Sequence, residues 1–213
     1  MTLFDNKYRI ESFRLQGWDY RWEGAYFITI CTKNREHYFG HIVDTLHRNV
    51  SIPMDCNVSI PTDRNVSNNL PTNLFNNEMQ LNEMGKIAYD FWMEIPQHFP
   101  HITLDAFVVM PNHVHGILIL EGNITDKVKS TVSTKNQFMT SISPKSGSIS
   151  TIVRSYKSVV SKHIHKFNLD FGWQSLFHDH IIRDSKSFDN IQNYIITNPQ
   201  RWGDDMFYGN ENV

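Results

Sequence analysis

The feature that most constrains the fold is a pair of apolar runs, 102–110 and 113–120, separated only by Pro111-Asn112. The first run is continuous enough for a strand at the centre of a sheet. Proline followed by asparagine favours a tight turn, so the two runs are expected to pair as a hairpin. The fold must therefore supply further strands beside this hairpin and helices to cover it.

The rest of the sequence contains these elements. Residues 24–33 are rich in β-branched and aromatic side chains, which predicts a buried strand. Apolar residues at helical spacing predict amphipathic helices over 80–95 and 149–164, and a last strand (177–183) and helix (187–197) follow. The resulting order predicts an α+β ferredoxin-like sandwich, an antiparallel sheet with helices on one face and an added C-terminal helix.

A single domain accounts for the whole chain, 1–213. Its length and its 40% hydrophobic residues allow a substantial core and exclude a wholly disordered protein. A threefold octapeptide repeat, 49–72, has a period far below that of stacked repeat units. We therefore expect 45–77 to be a polar, low-complexity insertion without a functional role, and 122–147 to be a basic Ser/Thr/Lys-rich loop.

The expected location is the cytoplasm. Two cysteines, Cys31 and Cys56, cannot build a disulfide framework, which favours a reducing compartment. The amino end has no apolar signal core, and no apolar run approaches the ~20 residues that span a bilayer. No membrane partner is therefore expected.

Positive charge is concentrated in one part of the chain. The net charge is only −2, but residues 123–166 hold eight basic residues and one acidic residue. Such a stretch could bind an anion or be a solvated loop and helix face. The first 23 residues interleave aromatic side chains with arginines, which suits either stacking on single-stranded nucleic acid or packing as an extended arm.

Histidine pairs are the first candidates for chemistry. Three His-x-His triplets occur: His113/His115, His163/His165 and His178/His180. Residues two apart point to one face of a strand but about 200° apart around a helix, so the second pair is unsuited to share a metal. The first pair lies on a predicted strand among apolar runs, where it needs partners. Metal ligation and ordinary hydrogen bonding are both open for it, and the third pair stays possible.

The last predicted helix supplies a second candidate. Tyr194 and Asn198 are four residues apart and so share a helix face. Tyr194 lies at the margin of the buried stripe, where a tyrosine commonly packs with a hydrated hydroxyl. Beside two imidazoles and an amide oxygen, the phenol could instead serve as a nucleophile next to a metal that polarises a phosphate.

Four motifs occur in order along the chain: YFITICTKNRE (26–36) with Phe39-Gly40, MPNHVHG (110–116), Trp173 with HDHIIRD (178–184), and YIITNP (194–199). Together they resemble the single-tyrosine HUH transposases of the IS200-like superfamily, and specifically the REP-associated tyrosine transposase branch. The resemblance covers nearly the whole chain apart from the repeat insertion and the 122–147 loop.

The resemblance implies a ferredoxin-like nuclease that cuts and rejoins single-stranded DNA, usually near a hairpin, with Mg²⁺ or Mn²⁺ as cofactor. It implies that His113 and His115 are metal ligands and that Tyr194 is the nucleophile, which forms a 5′-phosphotyrosine. Asn198 would be the third ligand, at a position where related insertion-sequence transposases have glutamine.

The implied partner is single-stranded or hairpin DNA, bound by a monomer or a homodimer. The candidate DNA-contacting residues are Arg14, Arg21, Arg154, Lys157, Lys162 and Arg183. Two other functions stay open. One is a non-cleaving single-stranded nucleic-acid-binding protein derived from a transposase, and the other is a metal-dependent hydrolase that activates water.

Overall fold

The computed structural model describes residues 3–4, 7–8, 18–46, 75–121 and 147–208. Its strands and helices are β1 (Leu3–Phe4), β2 (Lys7–Tyr8), β3 (Gly24–Cys31), β4 (Gly40–Leu46), β5 (Phe75–Leu81), α1 (Glu83–Met93), α2 (Ile95–His98), β6 (Ile102–Met110), β7 (His113–Leu120), α3 (Ile149–Ile164), β8 (His178–Ile182) and α4 (Ser185–Thr197). Two 3-10 helices, Lys33–Arg35 and Pro199–Asp204, complete this part of the chain. Within these ranges, no helix combines the length and the apolarity that crossing a bilayer requires.

The main sheet has four antiparallel strands in the order β6-β7-β3-β8. The predicted hairpin of β6 and β7 is confirmed, and β7 lies in the interior of the sheet. With α1 between β3 and β6, and α3 between β7 and β8, the chain follows the βαββαβ order of the ferredoxin-like arrangement. The expected α+β fold is therefore present, with α4 as the added helix.

The helices divide between the two faces of the sheet. Because side chains alternate along a strand, Val114 and Leu118 of β7 join the core that also contains residues of α1 and α3. Ile117 points to the other face and packs with Ile195 of α4. The prediction of helices on one face is right for α1 and α3, and the tyrosine-bearing helix covers the opposite face.

Helix α1 begins later than its apolar spacing suggests. Residues 80–81, which were expected to be helical, belong to β5 and pair with β4. The Asn82 side chain then accepts a hydrogen bond from the Gly85 amide at 2.9 Å and caps the helix. At the other end α1 stops at Met93, and Pro96 lies within the first turn of α2.

A two-stranded ribbon flanks the repeat insertion. Strands β4 and β5 pair from Gly40↔Leu81 to Leu46↔Phe75, so residues 45–46 and 75–77 of the expected insertion are strand. Residues 47–74, and 122–146 of the predicted basic loop, lie outside the described residues. The ribbon also contacts the C-terminal 3-10 helix, where Asn77 Nδ2 donates to the Gln200 carbonyl at 3.4 Å.

Candidate active site

Strand β7 places His113 and His115 on the face of the sheet that α4 covers. Their side chains are 0% and 1% exposed, and their ring centroids lie 4.3 Å apart. His113 Nδ1–H donates to Asn112 Oδ1 at 2.8 Å, and His115 Nδ1 is hydrogen-bonded to the Thr29 hydroxyl at 2.8 Å. In both rings Nδ1 is therefore engaged in a hydrogen bond, and Nε2 is the atom left to bind a metal or another ligand.

Both imidazoles are held neutral. Burial lowers the pKa of His113 well below its usual value, and the neighbouring His115 lowers it further. Burial likewise lowers the pKa of His115 to about 3, with a smaller contribution from His178. A neutral imidazole keeps the lone pair that a metal ion requires. Among the described residues, His113 Nε2 has no hydrogen-bond partner although it is fully buried, which is costly unless a ligand binds there.

Tyr194 meets the histidine pair from α4 of the same chain. Its hydroxyl lies 3.3 Å from His115 Nε2, and it donates to Asp205 Oδ2 at 3.4 Å. Its ring makes an edge contact with Phe27, with centroids 6.2 Å apart. The side chain is 36% exposed, so the phenol connects the buried histidines to the surface.

The phenol of Tyr194 keeps its proton in this setting. Burial raises the pKa of Tyr194 to about 12, and the charge and hydrogen bond of Asp205 act in the same direction. The amide of Asn198 and the charge of Arg201 oppose the shift but are smaller causes. A nucleophilic role therefore requires a positive charge near the phenol oxygen.

Two oxygen donors complete the cluster. Asn198 is buried at the end of α4, and its Oδ1 has no hydrogen-bond partner in the part of the chain described. Asn198 Nδ2 donates to Asp205 Oδ2 at 2.6 Å. One ligand atom each from His113, His115 and Asp205 all lie within 4.8 Å of one another. Ligand atoms around one divalent ion are about 3–4 Å apart, so these three side chains would need to move only slightly closer together to bind a metal ion.

Asp205 was not among the residues predicted from the sequence. It follows the 3-10 helix after Pro199, where no periodicity indicates which side chain turns back to the sheet. Thr29 and Asn112, which hold the two imidazoles, were also missed as site residues. The alternation of side chains along β3 assigns Thr29 to one face of the sheet. It does not give the register that places Thr29 opposite His115.

Aromatic residues from the C-terminal segment cover His113. The centroids of Phe207 and Trp202 lie 4.5 and 5.8 Å from its ring. Asn112 Nδ2 donates to the Phe207 carbonyl at 3.0 Å, and the Arg35 guanidinium lies 5.0 Å from the Phe207 ring centroid. This cover shields the imidazoles from water and explains their burial.

Three of the predicted DNA-contacting residues, Arg154, Lys157 and Lys162, lie on α3 and not at this site. Arg154 and Lys162 are exposed on α3, which packs on the opposite face of the sheet from Tyr194. The Lys157 ammonium donates to the carbonyls of Gln174 and Ser175 at 2.5 and 3.4 Å. These hydrogen bonds hold the segment before β8 against α3.

The other three predicted contacts differ in position. Arg21 forms an ion pair with Asp19 at 2.7 Å on the segment before β3. Arg183 is exposed directly after β8 and is the nearest in sequence to the tyrosine-bearing helix. Arg14 lies outside the described residues.

The fold and the site define a class of protein: a ferredoxin-like α+β domain with two buried histidines on a central strand and a tyrosine on an added helix. No family model matches the chain. It is 36% identical over 201 residues to an uncharacterized protein of Haemophilus influenzae, and the alignment covers 92% of each chain. The chain therefore belongs to the family of this Haemophilus protein.

A solved structure to which the chain shows similarity is that of a REP-associated tyrosine transposase bound to a REP hairpin. It is 18% identical to this chain, with a TM-score of 0.46, and the match covers 92% of this chain and 75% of that one.

Proposed function

We propose that the protein is a transposase: a metal-dependent single-stranded DNA endonuclease and strand transferase that works through a 5′-phosphotyrosine at Tyr194. The observation that supports this most directly is the position of the Tyr194 hydroxyl. It lies 3.3 Å from Nε2 of buried His115, whose neighbour His113 has an Nε2 with no hydrogen-bond partner among the residues that the structure describes. The resemblance of the four sequence motifs to those of the REP-associated tyrosine transposases supports the same assignment and implies substrates that carry a hairpin.

The residues present fit a divalent metal ion. The Nε2 atoms of His113 and His115 would hold it, together with oxygen from Asn198 and Asp205. Imidazole nitrogen combined with amide and carboxylate oxygen suits Mn²⁺ or Mg²⁺, with Mn²⁺ bound more tightly. A bound ion of this kind would polarise the scissile phosphate and favour the phenolate form of a neighbouring tyrosine.

The chain's own residues account for the transfer step. The Tyr194 oxygen forms a bond to phosphorus, and the bond from phosphorus to the 3′ oxygen of the preceding nucleotide breaks. The phenol proton leaves towards Asp205 Oδ2, the acceptor that the hydroxyl already faces. The departing 3′ oxygen takes a proton from water. Because the phosphodiester is kept as a tyrosine ester, attack by another 3′-hydroxyl rejoins DNA and restores the phenol.

A covalent-adduct assay tests this proposal. A hairpin-bearing single strand with fluorescent labels at both ends, incubated with the protein and Mn²⁺, should give a labelled protein band that survives denaturing electrophoresis. Tyr194→Phe should give no such band, and a chelator should abolish the band formed by the unaltered protein.

Tyr89→Phe is the matched control. Tyr89 is exposed to a similar extent, 42% against 36%, but it lies on α1 across the sheet from the site. This variant should form the adduct at the normal rate. Cleavage that continues in Tyr194→Phe would show that water is the nucleophile, and normal DNA binding without cleavage in any divalent ion would identify a non-cleaving binding protein.

A further inference from the structure

A second histidine pair lies on the same face of the sheet as the candidate site. In the register between β3 and β8, Thr29 is opposite His178 and Phe27 is opposite His180. Directly paired residues point to the same face of a sheet. Thr29 is also opposite His115 on β7, so one row across three strands contains His115, Thr29 and His178.

This second pair differs from the first in exposure. His178 and His180 are exposed, whereas His113 and His115 are buried. Between the two pairs lies Phe27, which is half-buried and contacts both the His115 ring, at 5.3 Å between centroids, and the Tyr194 ring. This face therefore carries a strip of flat rings: Tyr194 and Phe27, which are in contact, and then His178 and His180 on the edge strand β8.

One member of the strip, His180, also lines a cleft of about 390 Å³ at the edge strand. The other residues that line this cleft are Tyr20, Asp179, Ile181, Arg183, Asp184 and Ser187. The cleft is large enough for one nucleotide. Arg183 can neutralise a phosphate at its rim.

We propose that this strip, formed by Phe27, His178 and His180, is the track on which the unpaired nucleotides next to the cut site stack. The inference rests on the proposed function, because it assumes that Tyr194 reacts with a single strand. Exposed rings on a β-sheet face are a common platform for unpaired bases, since every base has a face that can stack. A base-paired segment hides these faces, so the occupant is a single strand rather than the duplex stem of a hairpin.

Binding measurements can test the track without cleavage. All proteins carry Tyr194→Phe, and two labelled DNA probes are compared by fluorescence anisotropy: a blunt hairpin and the same hairpin with about six unpaired nucleotides on each side. His178→Ala/His180→Ala should weaken binding of the flanked hairpin by roughly 5-fold or more, since a stacked base contributes about 1–3 kcal/mol. Binding of the blunt hairpin should change by less than about 2-fold.

Two further double variants separate stacking from other causes. His41→Ala/His98→Ala removes two exposed histidines away from this face and should leave both affinities unchanged. His178→Phe/His180→Phe keeps flat rings and should retain most of the affinity for the flanked probe. Thermal melting of each variant should match that of the parent protein, because the replaced side chains are exposed.

The outcomes distinguish this proposal from the one above. The stacking track would be overturned if the alanine variant lost affinity equally for both probes or lost none. It would also be overturned if the phenylalanine variant bound the flanked probe as weakly as the alanine variant. If the unaltered protein forms the tyrosine adduct but the flanks make no difference, only the track is wrong. If the flanks matter but no adduct forms with any divalent ion, the track stands and the proposed cleavage fails. No measurable binding of either probe would overturn both.

Discussion

Replacing Gly116 by alanine should reveal how closely β7 and α1 approach. A Cβ at this position would lie 2.3 Å from Trp92 Cζ2 and 3.0 Å from Phe107 Cβ. Trp92 is fully buried and its ring stacks on Phe107 with centroids 5.8 Å apart, so neither side chain can withdraw without moving its own element. Overpacking a core costs about 1–3 kcal/mol, and contacts this short place Gly116→Ala at the upper end of that range.

Thermal unfolding followed by circular dichroism measures the effect. A loss of about 3 kcal/mol in a domain of this size lowers Tm by roughly 6–12 °C. Gly203→Ala is the control, because no heavy atom lies within 4 Å of a Cβ there, and its Tm should stay within about 2 °C of the parent. If Gly116→Ala and Gly203→Ala have the same Tm, the tight contact between β7 and Trp92 is wrong.

Three further predictions follow from single contacts. Asn112→Ala removes the acceptor that orients His113 and should weaken Mn²⁺ binding by about 10–100-fold in calorimetric titration; unchanged affinity would show that the ring needs no such support. Tyr156→Phe removes a buried hydrogen bond to the Ala88 carbonyl at 2.9 Å and should lower the free energy of unfolding in urea by about 1 kcal/mol, whereas an unaltered urea midpoint would contradict the contact. Burial raises the pKa of the Cys31 thiol to about 11, so at pH 8 iodoacetamide should label its peptide far more slowly in the native protein than in urea; equal labelling rates would argue against burial.

Much of the fold follows from local patterns in the sequence. The hairpin of β6 and β7 matches its predicted bounds because two apolar runs and a Pro-Asn turn specify it without help from distant residues. Helix α3 likewise matches 149–164. The predicted start of α1 was wrong because Leu81 fits both the apolar stripe of a helix and a strand. Its pairing with Gly40 makes it part of the strand.

The candidate site was only partly accessible to the same reasoning. Spacing places His113 and His115 on one face of a strand, and Tyr194 and Asn198 on one face of a helix. It cannot show that α4 crosses to the opposite face of the sheet from α1 and α3, because that depends on which apolar surface remains uncovered. Asp205 enters the cluster through a turn of the C-terminal segment, and only the folded chain reveals it.

The ribbon of β4 and β5 has a consequence for how this family can change. Its last pair, Leu46 with Phe75, joins the two ends of the repeat-bearing segment. Doubling the length of a connection whose ends are already paired costs only about 0.6 kcal/mol. Gain or loss of one octapeptide should therefore hardly affect the free energy of folding. Relatives of this protein can then differ in length at this position while the surroundings of Tyr194 stay the same.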